Sequence, residues 1–270
     1  MQSATSSHAQ YPSKRDTLSG GKGPGISQGL VMGIVLWVIG AILFSTLAVV
    51  VHNHPAAWPF ELQITNIIQG QHPVPCIYHV QSSSWSDRVV DFINSLNDPL
   101  QAVIIPIGWM IVLFLFRMAL QAIFLGLAVL SSSGVWFAVE KLVARPRYTT
   151  AQDVCVHRNI GAYSFPSGHV FHDTVLYGFL LYLTFTPRAR QWPYRWVLIP
   201  FQVLFVLYIL AVGYARLESG EHHPLDVLGA YLVAVLWLAL FIFLYQWVSR
   251  LWTEHRAKKR GEKPNQAQLA

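Results

Sequence analysis

The 270-residue sequence is 53% hydrophobic and only 12% charged, about half the charged share of near 25% usual in soluble domains, which excludes an ordinary water-soluble fold. The net charge of +6 does not point to nucleic acid, because the basic residues sit at the ends of long apolar runs rather than on one polar face. Two cysteines, Cys76 and Cys155, with no CxxC, exclude thiolate metal and redox chemistry.

Residues 1–28 are polar, with Ser, Gly and Pro, and read as a flexible tail. A bilayer span needs about 20 apolar residues, and Gly29–His52 supplies the first. Residues 53–99 form a long connector. Its patches WPFELQITNII and SDRVVDFINSL predict short amphipathic helices near the interface, with Trp58, Phe60 and Trp85 as anchors. Leu100–Phe116 and Met118–Val143 give the second and third spans, parted at Arg117. A polar loop, 144–167, leads to the fourth span, Gly168–Phe185, and Trp196–Tyr214 is the fifth. The short loop 215–223 precedes the sixth, Pro224–Val248, and a basic tail, 249–270, ends in KPNQAQLA. The expected fold is an all-α integral membrane protein whose six transmembrane helices form one bundle over residues 29–248.

Six spans put both termini on one side. The termini and the loops on their side carry thirteen basic residues against three acidic ones, so the positive-inside bias places both termini in the cytoplasm. The first span then reads as a retained signal anchor. Cys76 and Cys155 both fall on the outer side, where a bridge between them is chemically allowed and two free thiols are the alternative.

Three segments converge on the outer face: KLVARPRY (Lys141–Tyr148), YSFPSGH (Tyr163–His169) and ARLESGEHHPLD (Ala215–Asp226). Arg147 and Arg216 are planar forks suited to phosphate oxygens, and Lys141 and Arg145 add charge. Pro166-Ser167-Gly168 opens a helix, where free N–H groups and the positive dipole end favour an anion. His169 and His222 come from different helix ends. One imidazole can attack phosphorus while the other protonates the leaving oxygen. Asp226 lies four residues after His222, within reach on a helical turn, to orient its ring. The pattern calls for no metal and no cofactor, although HHPLD also contains metal-binding residue types.

These segments resemble the tripartite signature of the type 2 phosphatidic acid phosphatase superfamily. The third motif, Ser-Arg, five residues, His, three residues, Asp, is matched by Arg216, His222 and Asp226 without a gap, with Ala215 at the Ser position. The second, Pro-Ser-Gly-His, is complete at Pro166–His169. The first, Lys, six residues, Arg-Pro, is degenerate. Arg147 as its arginine puts Glu140 at the Lys position and Tyr148 at the Pro position; Arg145-Pro146 is the literal pair but stands too close to Lys141. Arg147 is favoured, because RPR resembles the usual doubled form.

The resemblance implies a membrane phosphatase acting on a lipid phosphate or diphosphate. His222 would form a phosphohistidine and Asp226 would orient it. His169 would act as acid, then base. Arg147, Ser167, Gly168 and Arg216 would bind phosphate, with Lys141 a further member. The substrate classes are a polyprenyl diphosphate, phosphatidic acid, phosphatidylglycerol phosphate or lipid A phosphate, met in the plasma membrane on its outer face. Two alternatives are a phosphotransferase using the same phosphohistidine, and a silent membrane binding protein or transporter.

Overall fold

The computed structural model describes residues 28–70, 85–149, 152, 154–156 and 161–260. Two compact units are present, residues 1–36 and 37–270. The described part of the first is the opening of helix α1. Residues 1–27 of the expected tail, the end of the C-terminal tail beyond Arg260, and Cys76, on which the choice between a bridge to Cys155 and two free thiols turns, lie outside the described residues. Among those residues no cysteine is free.

The described elements are helical: α1 Gln28–Asn53, α2 Pro59–Ile68, α3 Trp85–Leu96, α4 Gln101–Leu115, α5 Ala119–Val143, α6 Gly168–Thr184, α7 Pro187–Arg190, α8 Leu198–Glu218 and α9 Pro224–Arg260. A 3-10 turn, Arg195–Val197, leads into α8. Only Val51 of α1 is buried, although the helix is apolar all round. In water that surface would be untenable; in lipid it is the ordinary case.

Four helices are long and apolar enough to cross a bilayer: Gln28–Asn53, Ala119–Val143, Arg195–Glu218 and Pro224–Lys259. Arg88–Leu96 and Gln101–Leu115 make a fifth crossing if taken as one span bent by 70°. The chain is therefore an all-α multi-pass membrane protein. The expected fourth span is α6, whose 17 residues reach about 26 Å at 1.5 Å per residue. That is short of the ~30 Å hydrocarbon core. Its placement explains the tolerance: α6 packs against α5, α8 and α9 and buries Val170, Phe171, Val175, Leu176, Phe179, Leu180 and Leu183 in the main apolar core.

The break expected at Arg117 is present. Arg117 has φ 57°, the Met118 N–H bonds back to the Leu113 carbonyl at 2.8 Å, and α5 starts at Ala119. Two expectations need correction. α3 does not merely lie at an interface, since Val90 and Ile93 join the core and the helix packs on α8. The last helix does not stop at Val248 but continues to Arg260. Nothing between Val248 and Arg260 breaks it; the segment SRLWTEHRAKKR has no Gly or Pro and is rich in strong helix formers. Arg256 also lies over the Trp252 ring at 4.6 Å, one turn back.

Candidate active site

The C-terminal ends of α5 and α8 and the N-terminal ends of α6 and α9 are tied together through the loops that join them. The Ser164 N–H donates to the Arg145 carbonyl at 2.8 Å, and the Ser167 N–H to the Asp226 carbonyl at 3.2 Å. Arg147 Nη1 donates to the Glu221 carbonyl at 2.6 Å. Two glycines let these segments approach. A Cβ on Gly168 would stand 2.9 Å from Trp136 of α5. Gly220 has φ 65°, and a Cβ there would run into the Cys155 carbonyl.

His222 is buried, and its Nδ1 lies 2.8 Å from the Ser164 carbonyl oxygen. A carbonyl only accepts, so Nδ1 bears the hydrogen and the lone pair is on Nε2. Burial holds His222 below the ordinary imidazole value, against the opposing pull of Asp226. The ring is thus neutral near pH 7, with its lone pair on Nε2. His169 stands in the first turn of α6. The ligand atoms of His169, Glu221 and His222 all lie within 4.8 Å of one another.

A candidate anion pocket is marked by what its donors lack. Seven buried side-chain polar atoms have no hydrogen-bond partner among the described residues, and four of them are Arg147 Nε, Ser167 Oγ, Arg216 Nε and Arg216 Nη2. An orphaned buried donor costs about 1–3 kcal/mol, and such groups rarely gather in one place without a ligand to meet. Ser167 is the N-cap of α6, yet its side chain makes no cap bond. Its hydroxyl is left over for something else. Burial lowers the pKa of the Arg147 guanidinium, with Glu221 and Asp226 pulling the other way; it stays a cation at neutral pH. Arg216 Nη1 bonds Glu221 Oε2 at 2.7 Å with both side chains about 1% exposed, and Glu221 Oε1 is unpartnered. His169, Glu221 and His222 have the donor types of a small divalent-metal site. The two guanidiniums beside them favour an anion instead.

Arg145 and Arg147 are cleanly separated. Arg145 is fully buried between two carboxylates, with Nη2 on Glu61 at 2.5 Å and Nη1 on Asp226 at 2.8 Å. Burial works against its charge, but Asp226 and Glu61 more than offset that and raise its pKa. Its donors are spent inside the protein, whereas Arg147 retains a free Nε. Lys141 is exposed, and its ammonium lies over the Phe137 and Tyr163 rings at 5.5 and 5.1 Å. The structure does not gather it with the buried donors.

Asp226 needs a further correction. The sequence makes it the direct orienting partner of His222, but Asp226 Oδ2 is 3.8 Å from His222 Nδ1, beyond hydrogen-bond reach. Asp226 stands at the third position of α9, so its carboxylate turns back to the N–H of His223 at 2.8 Å, as in a capping box. It also takes His223 Nδ1 at 2.9 Å. The Ser164 carbonyl holds His222 instead. Sequence reasoning gave no role to Ser164, Glu61 or Glu221. Ser164 acts on His222 through its backbone carbonyl, which leaves no side-chain signature.

The PAP2 superfamily model matches residues 118–252, a stretch that holds all three motif segments. A solved structure titled the first transmembrane PAP2 type phosphatidylglycerolphosphate phosphatase from Bacillus subtilis superposes with a TM-score of 0.61 at 18% identity, covering 79% of this chain and 98% of that one. It shares the fold. The structure of Aquifex aeolicus LpxE matches at a TM-score of 0.48 and 19% identity, over 68% of this chain and 96% of that one.

Proposed function

The chain belongs to the PAP2 superfamily, and from that premise we propose that it is a membrane lipid phosphatase that removes phosphate from a lipid phosphomonoester or diphosphate. The observation that carries the reading is the set of four orphaned buried donors on Arg147, Ser167 and Arg216, beside two histidines whose nitrogens lie within 4.8 Å of each other. The donors would take the non-bridging oxygens of the phosphoryl group, where charge gathers in the transition state. His222 Nε2 attacks phosphorus and the P–O bond to the leaving group breaks. His169, entering the step as imidazolium, gives its proton to the departing oxygen. In the second half, His169 takes a proton from water, the water oxygen attacks phosphorus, and the P–N bond breaks. Inorganic phosphate leaves and both imidazoles return to their starting states.

The orientation we propose is six crossings, counting the bent α3–α4 pair and α6 as one each, with both termini in the cytoplasm. The support is charge: Arg117, Arg188, Arg190, Arg195 and the basic end of α9 lie at the helix ends away from the site. The site then faces outward at the level of lipid headgroups. An apolar cleft lined by Thr174, Leu181, Val206, Leu210, Tyr231 and Leu238 begins five residues below His169, about 7.5 Å along α6, and suits a lipid tail. Phosphatidylglycerol phosphate, phosphatidic acid, a polyprenyl diphosphate and lipid A phosphate all fit this description. Phosphate release by the purified protein from these lipids, with EDTA present and His222→Ala alongside, tests the reading. Release that survives EDTA and is lost in the variant supports it, and no release from any of them by folded protein refutes it.

A further inference from the structure

Helix α2 is amphipathic in the opposite sense to a helix resting on a core. Its buried residues are polar: Glu61, Thr65 and, at its C-cap, Gln69, one on each successive turn. Its apolar residues Phe60, Ile64 and Ile67 are 46%, 40% and 67% exposed. Each buried residue is bonded to a loop that carries the site. Gln69 Nε2 donates to the carbonyls of Cys155 at 2.7 Å and Glu218 at 2.8 Å, and its Oε1 accepts the Cys155 N–H at 3.0 Å. Thr65 Oγ1 meets the Tyr148 hydroxyl at 3.1 Å. Glu61 takes both Nη1 and Nη2 of Arg145 at 3.1 and 2.5 Å, the Leu225 N–H at 3.1 Å and the Trp58 N–H at 3.0 Å.

We propose that Glu61 is a positioning residue for phosphoryl transfer: through Arg145 and the Leu225 N–H, it fixes Asp226 and the turn that aims His222. The inference rests on the phosphatase reading above. The connection is short and fully buried. Arg145 and Asp226 are inaccessible to solvent, and Leu225 is the residue before Asp226 at the start of α9. With Glu61 in place, the cation of Arg145 is shared between two carboxylates. Without it, Arg145 bears on Asp226 alone, and the first turn of α9 loses its hydrogen bond to α2. Among the described hydrogen bonds, the one from the Leu225 N–H to Glu61 is what joins α2 to the N-terminus of α9. Glu61 touches no orphaned donor of the phosphate pocket, so its loss should disturb the aim of the nucleophile and spare ground-state phosphate binding.

The test separates aim from fold. All four groups around Glu61 are donors, so Glu61→Gln sets an amide NH2 against them and can fail to fold. A Glu61→Leu/Arg145→Met double variant removes both buried charges together, a replacement that buried ion pairs often tolerate. Glu61→Asp keeps the charge. Each is melted in detergent, assayed for phosphate release, and titrated with orthovanadate and with inorganic phosphate. Vanadate adopts the five-coordinate geometry that needs an aligned His222, whereas phosphate needs only the pocket.

For the double variant with a wild-type melt, the expected result is a kcat loss of about 10- to 100-fold, the scale for losing an outer-shell partner, with KM within about twofold. Its vanadate affinity falls about tenfold while its phosphate affinity holds, and Glu61→Asp recovers part of kcat. A folded double variant with wild-type kcat and vanadate affinity overturns the proposal, as does equal weakening of both anions. A wild type that releases no phosphate removes the phosphatase reading, and the vanadate arm then decides this inference by itself.

Discussion

Arg216→Lys separates function from stability more sharply than any other change at this site. Arg216 is 1% exposed and spends one nitrogen on Glu221 at 2.7 Å, while Nε and Nη2 have no partner. A lysine keeps the charge opposite Glu221 and discards the two orphaned donors. Each lost bond to an anionic phosphoryl group is worth about 1.5–3 kcal/mol, so kcat/KM should fall by roughly 3–6 kcal/mol, about 10² to 10⁴-fold. The folded protein loses no existing bond except the one the ammonium can remake. Two unsatisfied buried donors disappear, so the melting temperature should hold or rise. The assay is phosphate release from a lipid phosphate at several concentrations, with a melt of each preparation in the same detergent. A kcat/KM within tenfold of wild type refutes the assignment of those donors to the phosphoryl group. A melt that drops in step with activity shows that Arg216 serves the fold instead.

Ser167→Ala removes a hydroxyl that caps nothing, so stability should stay level or rise by up to about 1 kcal/mol while kcat/KM falls about 10- to 100-fold; a destabilised variant would restore the cap reading. Gly168→Ala places a methyl 2.9 Å from Trp136 and should cost about 1–3 kcal/mol of overpacking, read as a lower melt, and an unchanged melt would contradict that contact. His222 has its pKa lowered by burial, so it remains neutral as pH falls to the ordinary imidazole value of about 6.5. The acid limb of kcat/KM assigned to it should therefore lie below that value, and a limb above it that vanishes in His222→Ala would contradict the buried, neutral ring. The linked stability has the same sign: the folded state binds fewer protons than the unfolded chain, so this contribution is present above about pH 6.5 and falls as pH drops below it.

Much of the site was legible because its chemistry lies in contiguous runs at helix ends. Pro166–His169 and Arg216–Asp226 each carry their residues within one loop and the helix turn beside it, so spacing alone brings them to one face. The choice of Arg147 over Arg145 as a phosphate ligand agrees with a feature that spacing cannot display, namely that Arg145 is already held by Glu61 and Asp226. Glu61 itself was illegible for a physical reason. Its partner is 84 residues away, and within WPFELQITNII the periodic signal is the apolar face, which normally turns inward. Here that face turns out and the polar one turns in, a reversal that only a lipid or interfacial surrounding permits. The alignment of His222 by Ser164 escaped because a backbone carbonyl belongs to every residue type. The helix past Val248 was missed because hydropathy marks where lipid ends, whereas helix formers carry α9 on through Arg260.

Trapping the covalent intermediate tests the central claim most directly. The His169→Asn variant, mixed with an aryl phosphate whose leaving group departs without an acid and quenched in alkali within its first turnovers, should accumulate a phosphohistidine, because water attack lacks its base. Peptide mass spectrometry should place that phosphoryl group on His222, and His222→Ala should carry none. Phosphate released with no label on any histidine, or label on a residue other than His222, would contradict the account.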